Sequence, residues 1–233
     1  MDIWSQTFST RDPRPIGRPL LIVSGICGDL LALDAVLGEA QRSRFSAVLA
    51  VGNHCFGGPS PFETWARLQD LEATLIRGDL DVVLGEKPDD RRISDRSKTW
   101  QRSWYQCREA LGDILVRRLV HLPTTAVVSL DGCSAGVMAV HQSPFGLLET
   151  AAEHDLRPEI LVAETACVAE DVLVMAADTK PLLKRMGNVL VINMGALGRY
   201  CPEQGLIRST AYAVLIQEFS DGMVRGDGRV IGV

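Results

Sequence analysis

The stretch that most constrains this chain is LLIVSGICGDLLALDAVL, Leu20 to Leu37. A continuously apolar run breaks at the small residues Gly25-Ile26-Cys27-Gly28 and resumes with leucines at helical spacing. Leu20 to about Ser24 therefore reads as a strand. Leu30, Leu33, Leu37 and Ala40 read as the buried stripe of a helix that Asp29 can cap. Strand, turn and helix N-terminus together present backbone N–H groups and loop side chains at one sheet edge, so a phosphate or metal site is expected there.

The following elements deliver further strand ends. FSAVLAV at 45–51 is continuously apolar, as a parallel strand buried on both faces is, and it ends in the glycine- and proline-rich loop GNHCFGGPSP. A helix from about Phe62 to Ala73, a short strand TLIRG and a tight turn GDLD at 78–81 come next. Residues 85–98 are charged and read as a solvated surface loop. From Thr99 a long helix carries Trp100, Trp104, Cys107, Leu111, Leu115 and Leu119 as a core stripe.

After Pro123 the period changes to a hairpin, TTAVVSL and SAGVMAVH about the turn Asp131-Gly132. A helix near 157–169 and the strands DVLVMAA, NVLVINMG (188–195) and STAYAVLIQEF (209–219) complete the pattern, with a last hairpin through Ser220-Asp221-Gly222. Residues 1–18, polar and carrying Pro13 and Pro15, read as an irregular lead-in. With no linker and no repeat, residues 1–233 are expected to form a single domain.

A net charge of −5 and a pI near 5.4 argue against a nucleic-acid groove. No apolar run approaches the roughly 20 residues of a membrane span, and the N-terminus lacks a signal-peptide core. A cytoplasmic protein with no membrane partner is expected. The six cysteines are scattered without a CxxC pair and read as buried small hydrophobes or site residues.

Six stations stand at strand ends: Gly25 to Gly28, Gly52-Asn53, Gly78 to Asp81, His141 to Pro144, Ala177 to Lys180 and Asn193 to Ala196. Their order and spacing over about residues 19–217 resemble the calcineurin-like metallophosphoesterase superfamily, in particular its compact bacterial phosphodiesterases. There the stations read DxHGN, GDxxxxGPxP, GNHD, HGSP, GHTH and NPGS. The resemblance implies a four-layer α/β/β/α sandwich, two mixed sheets flanked by helices. It also implies a cleft built from Gly25, Cys27, Asn53, Asp79, Leu80, His141, Asp178 and Lys180.

The family's reaction uses two divalent ions about 4 Å apart sharing a carboxylate. In this chain the aspartate and histidine of the first station are Gly25 and Cys27, the bridging aspartate is Asn53, and the leaving-group histidine is Leu80. The two histidines of GHTH are Asp178 and Lys180. The first metal position maps to Gly25, Cys27, Asn53 and Lys180, and an empty site is expected, because an ammonium about 4 Å from a dication costs roughly 8 kcal/mol even at an effective dielectric near 20.

The second metal position maps to Asn53, Asp79, His141 and Asp178, a mixed N/O shell acceptable to Mn²⁺, Fe²⁺ or Zn²⁺. Two readings follow. The leading one is a catalytically degenerate protein with no cofactor, in which Asp79, Asp178 and Lys180 close into a salt-bridge cluster and which either binds a ligand in the cleft, a phosphorylated small molecule held by Lys180 and helix N-termini, or acts as a regulatory protein through its surface. The alternative is a phosphoesterase with a single divalent metal. Arg77 and Arg199 are expected to face water, Cys55 to be an unliganded thiol, and a homo-oligomer is compatible with either reading.

Overall fold

The computed structural model describes residues 9–16, 19–41, 45–130, 136–141, 168–176, 182–195, 197, 199–201, 205–207, 210–218 and 224–232. Its first sheet is organised around β2 (Leu20–Ser24), which runs parallel to β3 (Ala47–Val51), itself parallel to β4 (Thr74–Ile76). On the other side β2 pairs antiparallel with β12 (Thr210–Glu218), and β12 with β13 (Val224–Gly232). The order is β13-β12-β2-β3-β4.

The second sheet runs β1 (Ser9–Ile16), β5 (Thr125–Leu130), β6 (Gly136–Val140), β7 (Val172–Met175), β9 (Val189–Asn193), β8 (Leu182–Met186). The hairpin period seen after Pro123 is the antiparallel β5–β6 pair, while β6, β7 and β9 are mutually parallel. A small ladder joins β10 (Arg199–Cys201) to β11 (Gly205–Ile207).

Burial explains why β2 reads as continuously apolar. Leu20 and Ile22 point between the sheets, where they join Leu49, Val51 and Ile76 against Val128, Val137, Val172 and Ile192. Leu21 and Val23 point the other way, toward α1 (Leu30–Gln41), α2 (Pro61–Asp70) and α5 (Lys98–Val120). A third buried cluster, including Val140, Leu173, Met175 and Val191, lies on the far face of the second sheet. Two mixed sheets flanked by helices result, the architecture that the order of stations implied.

Local chemistry sets the element ends. The Ala32 N–H donates to Asp29 Oδ1 (3.0 Å), so Asp29 caps α1 as expected. Gly112 interrupts α5 with φ 70° and ψ 163°, which turns the stripe: burial passes from Leu111 to Val116 and Leu119, and Leu115 is only partly buried.

Several expectations change. Residues 9–16 of the expected lead-in form β1, parallel to β5, with a register shift between Arg11 and Pro15. Prolines disguise such a strand in sequence, yet an edge position tolerates their missing N–H. The GDLD turn opens a short helix, α3 (Asp79–Val83). The 85–98 loop contains α4 (Arg91–Ser94), whose Arg92 N–H donates to Asp90 Oδ1 (2.8 Å) and whose Ile93 is buried.

The start of the 85–98 segment is fastened to α5. Trp104 Nε1 donates to Val83 O (2.9 Å), and Arg108 Nη1 donates to Leu84 O (2.7 Å) and Glu86 O (3.0 Å). The strand β8 was not foreseen, because LLKRM is largely exposed and shows no alternation. The 157–167 part of the expected helix and both hairpin turns lie outside the described residues.

Ile22, fully buried between the sheets, provides a test of this layering. Ile22→Ala is expected to lower stability by about 3 kcal/mol, read as a lower urea midpoint at unchanged slope.

Candidate functional site

The ends of β2, β3 and β4 leave the first sheet at one edge, and their loops continue the ladder beyond the strands. The Gly25 N–H donates to Gly52 O (3.1 Å), Cys27 N–H to Asn53 O (2.8 Å), Gly28 N–H to His54 O (2.8 Å) and Gly52 N–H to Ile76 O (3.0 Å). The second sheet reaches the same edge: Leu197 N–H donates to Ser24 O (2.9 Å), and the His141 ring, just past β6, lies against Gly52.

Close approach here has a backbone cost. Gly25, Cys27, Gly28, Gly52 and Asn53 all have φ between 54° and 72°. Glycine adopts this left-handed region freely and asparagine tolerates it, but a cysteine held there carries strain of order 1 kcal/mol. A Cβ on Gly52 would stand 2.0 Å from His141 Cδ2, so only glycine admits the ring.

Asp81 ties these loops together. Its fully buried carboxylate accepts the N–H of Asn53 (2.8 Å) and of Gly78 (2.8 Å) at Oδ2 and that of His54 (2.9 Å) at Oδ1. Such charge-assisted bonds are short and strong. His54, also fully buried, has its Nε2 2.8 Å from Ile76 O. In the sequence Asp81 stands out only as part of a turn. The signal that could have found it is an acidic residue three positions after a helix-start glycine, able to reach back to that glycine's N–H.

Arg77 departs from its expected position. It is buried, and its Nη1 donates to Val120 O (2.6 Å) at the C-terminal end of α5, where a cation suits the helix dipole. Burial lowers its pKa and Asp81 opposes that shift.

Six of the eight cleft positions are described, and they do meet. Asn53 Oδ1 accepts the Leu80 N–H (3.0 Å), and His141 Nε2 stands 3.8 Å from Asp79 Oδ1. The Cys27 thiol feels Asp81, Asp79 and Asp29. Asp178 and Lys180 lie outside the described residues.

The first metal position does not fit an ion. Gly25 offers no side chain, and Asn53, whose Oδ1 also accepts the Leu80 N–H, brings no charge. Burial, with Asp81, Asp79 and Asp29, pushes the Cys27 pKa up to about 12, so without an ion the thiol is neutral.

The second position fits in part. Among the described residues Asp79 Oδ1 is buried without a hydrogen-bond partner, and 3.8 Å from His141 Nε2 is a spacing that two ligands of one ion at about 2.1 Å can span. A ligating imidazole usually donates its other N–H, yet among the described residues His141 Nδ1 is buried without a hydrogen-bond partner. Among the described residues no three His, Cys, Asp or Glu side chains group to hold a metal. Cys55 lies buried in the helix-side core, and Cys107 Sγ is 3.7 Å from its carbonyl. A separate cavity of about 580 Å³ opens between Gly57 to Pro59 and the α5 residues Ser103, Gln106 and Cys107, with an uncharged lining unlike the acidic cleft.

The sequence matches no protein-family model and no curated relative. Solved structures do match. A hypothetical protein from Pyrococcus horikoshii superposes with a TM-score of 0.73 at 18% identity, over 91% of this chain and 87% of that one. A metallophosphoesterase from Sphaerobacter thermophilus superposes with a TM-score of 0.64 at 20% identity, over 91% of this chain and 88% of that one. The chain has the metallophosphoesterase fold. Among the described residues, Gly25 to Gly28, Gly52-Asn53, Gly78 to Asp81, His141 and Met194-Gly195 follow strand ends of this fold. No helix among the described residues is long and apolar enough to cross a membrane.

Two outcomes are expected. Gly52→Ala should cost about 3 kcal/mol through backbone strain and collision with the His141 ring, measured by urea unfolding. Burial lowers the His141 pKa, against the pull of Asp79 and Asp81, so the unfolded chain takes the proton first. Stability should then fall as pH drops from about 6.5 toward the folded pKa, and His141→Gln should remove that part of the slope in urea midpoints compared across this range.

Proposed function

We propose that this chain is a catalytically degenerate metallophosphoesterase-like protein that keeps the cleft for binding rather than hydrolysis. The observation that carries the reading is the bond from the Leu80 N–H to Asn53 Oδ1 (3.0 Å), which puts the side chain at the bridging station to structural use. Two-metal hydrolysis needs a shared carboxylate to hold both ions and a group to protonate the leaving oxygen. Asn53 brings no charge, and Leu80 brings no proton.

The ligand we propose is a phosphorylated small molecule. Because the described residues bring Asp29, Asp79 and Asp81 around Cys27, the positive charge that a phosphate requires falls to Lys180. A single domain in a reducing cytoplasm agrees with the acidic composition and with the Cys27, Cys55 and Cys107 thiols, all free and buried.

A second reading rests on Asp79 Oδ1, which faces His141 Nε2 at 3.8 Å and accepts no hydrogen bond among the described residues. Asp79 and His141, with Asn53 and Asp178, would hold one divalent ion. When bound, such an ion would supply Lewis-acid polarisation of a phosphoryl oxygen. This chain's own residues would orient the ester against the cleft, and leaving-group protonation would fall to solvent, because Leu80 replaces the expected acid.

The deciding assay is hydrolysis of bis-p-nitrophenyl phosphate with added Mn²⁺. The binding reading expects no turnover above the protein-free control. Turnover that disappears in His141→Ala would overturn it in favour of the single-metal enzyme.

A further inference from the structure

We infer that Asn53 and Asp81 form a reciprocal clasp that ties the end of β3 to α3 without any cation, and that the uncharged amide at position 53 is what frees the cleft from needing one. The clasp rests on the reading that position 53 has left metal service. It gives that position a different role, which is to hold Asp79, the first residue of α3, opposite His141.

The clasp is closed in both directions. From α3, Asp81 accepts the N–H groups of Asn53 (2.8 Å) and His54 (2.9 Å) in the loop after β3, and that of Gly78 (2.8 Å) at its own helix start. From the loop after β3, Asn53 Oδ1 accepts the Leu80 N–H (3.0 Å), one of the donors that a helix start leaves without an internal partner. Each loop thus satisfies N–H groups of the other, and neither side depends on a third body.

The fit around the amide is tight. A Cβ on Gly78 would lie 2.2 Å from Asn53 Oδ1 and 2.6 Å from Asn53 N, so glycine is required for the two loops to approach. Asn53 itself has φ 56°, a conformation that asparagine accepts more readily than most side chains.

Charge explains why an amide holds this place. Asp29, Asp79 and Asp81 already act together on Cys27. The Arg77 guanidinium, which feels Asp81, is turned to the end of α5. A fourth carboxylate at position 53 would accept the same Leu80 N–H but would repel Asp29, Asp79 and Asp81, a repulsion that a bound divalent cation relieves. An amide accepts the bond without the repulsion.

The test compares thermal unfolding of the full chain, Asn53→Asp and Asn53→Ala, each with EDTA and with Mn²⁺, alongside amide hydrogen exchange. The wild-type melting temperature is expected to be equal in the two conditions. Asn53→Asp should melt about 2–4 °C lower in EDTA and recover in Mn²⁺. Asn53→Ala should melt lower in both, with faster exchange of the Leu80 N–H by at least about tenfold while β2 amides keep their protection.

The clasp is overturned if the wild type gains as much from Mn²⁺ as Asn53→Asp does. It is equally overturned if Asn53→Asp is unaffected in EDTA or its loss persists in Mn²⁺, or if Leu80 exchange is unchanged in Asn53→Ala. Phosphodiester turnover by the wild type would refute the binding reading while leaving these melting and exchange results to stand or fall separately.

Discussion

A carboxylate that water does not reach, that of Asp81, accepts three main-chain N–H groups and so fixes two strand ends relative to each other. Buried ionised groups are costly unless their hydrogen bonds are complete, and here the bonds come from backbone that would otherwise be orphaned at the edge of a sheet. The left-handed turns, the close contact of Gly78 with Asn53 and the seat of the His141 ring on Gly52 all presuppose this anchor.

The same edge shows how a fold and its chemistry come apart. The sheets need apolar residues on both faces of β2 and small residues where β2 ends, and these demands are met by Leu20 to Val23 and by Gly25 and Gly28. Nothing in them requires an aspartate or a histidine at the turn. Gly25 and Cys27 satisfy the packing, so the strand end and its turn form without a charged side chain at either position.

Legibility in the sequence followed burial. The β2–α1 unit, β3, β9 and the long helix declared themselves because each carries a continuous or periodic apolar pattern tied to a core. β1 did not, because its prolines look like a lead-in and only an edge position makes them acceptable. β8 did not, because three of its five residues face solvent. The cleft positions were named from the resemblance of their stations to a family pattern, and Gly25, Cys27, Asn53, Asp79, Leu80 and His141 are the ones described. Their interactions were not legible: that Asn53 Oδ1 is taken by the Leu80 N–H (3.0 Å), and that Arg77 turns inward to Val120 O (2.6 Å), depends on contacts between segments far apart in the chain.

The strand pairings also bear on the order in which the molecule can be made. β2 meets β12 through Leu20 and Ile216, and β1 meets β5 through Ser9 and Thr125. Both N-terminal strands therefore wait for partners synthesised much later, and loop closure over such separations slows folding. During synthesis the β2–β3–β4 ribbon and its clasped loops have all their residues available long before β12 emerges to cover the open side of β2. The chain must therefore carry the apolar flank of its central strand unpaired for most of its translation, an exposure that favours chaperone capture of the nascent protein.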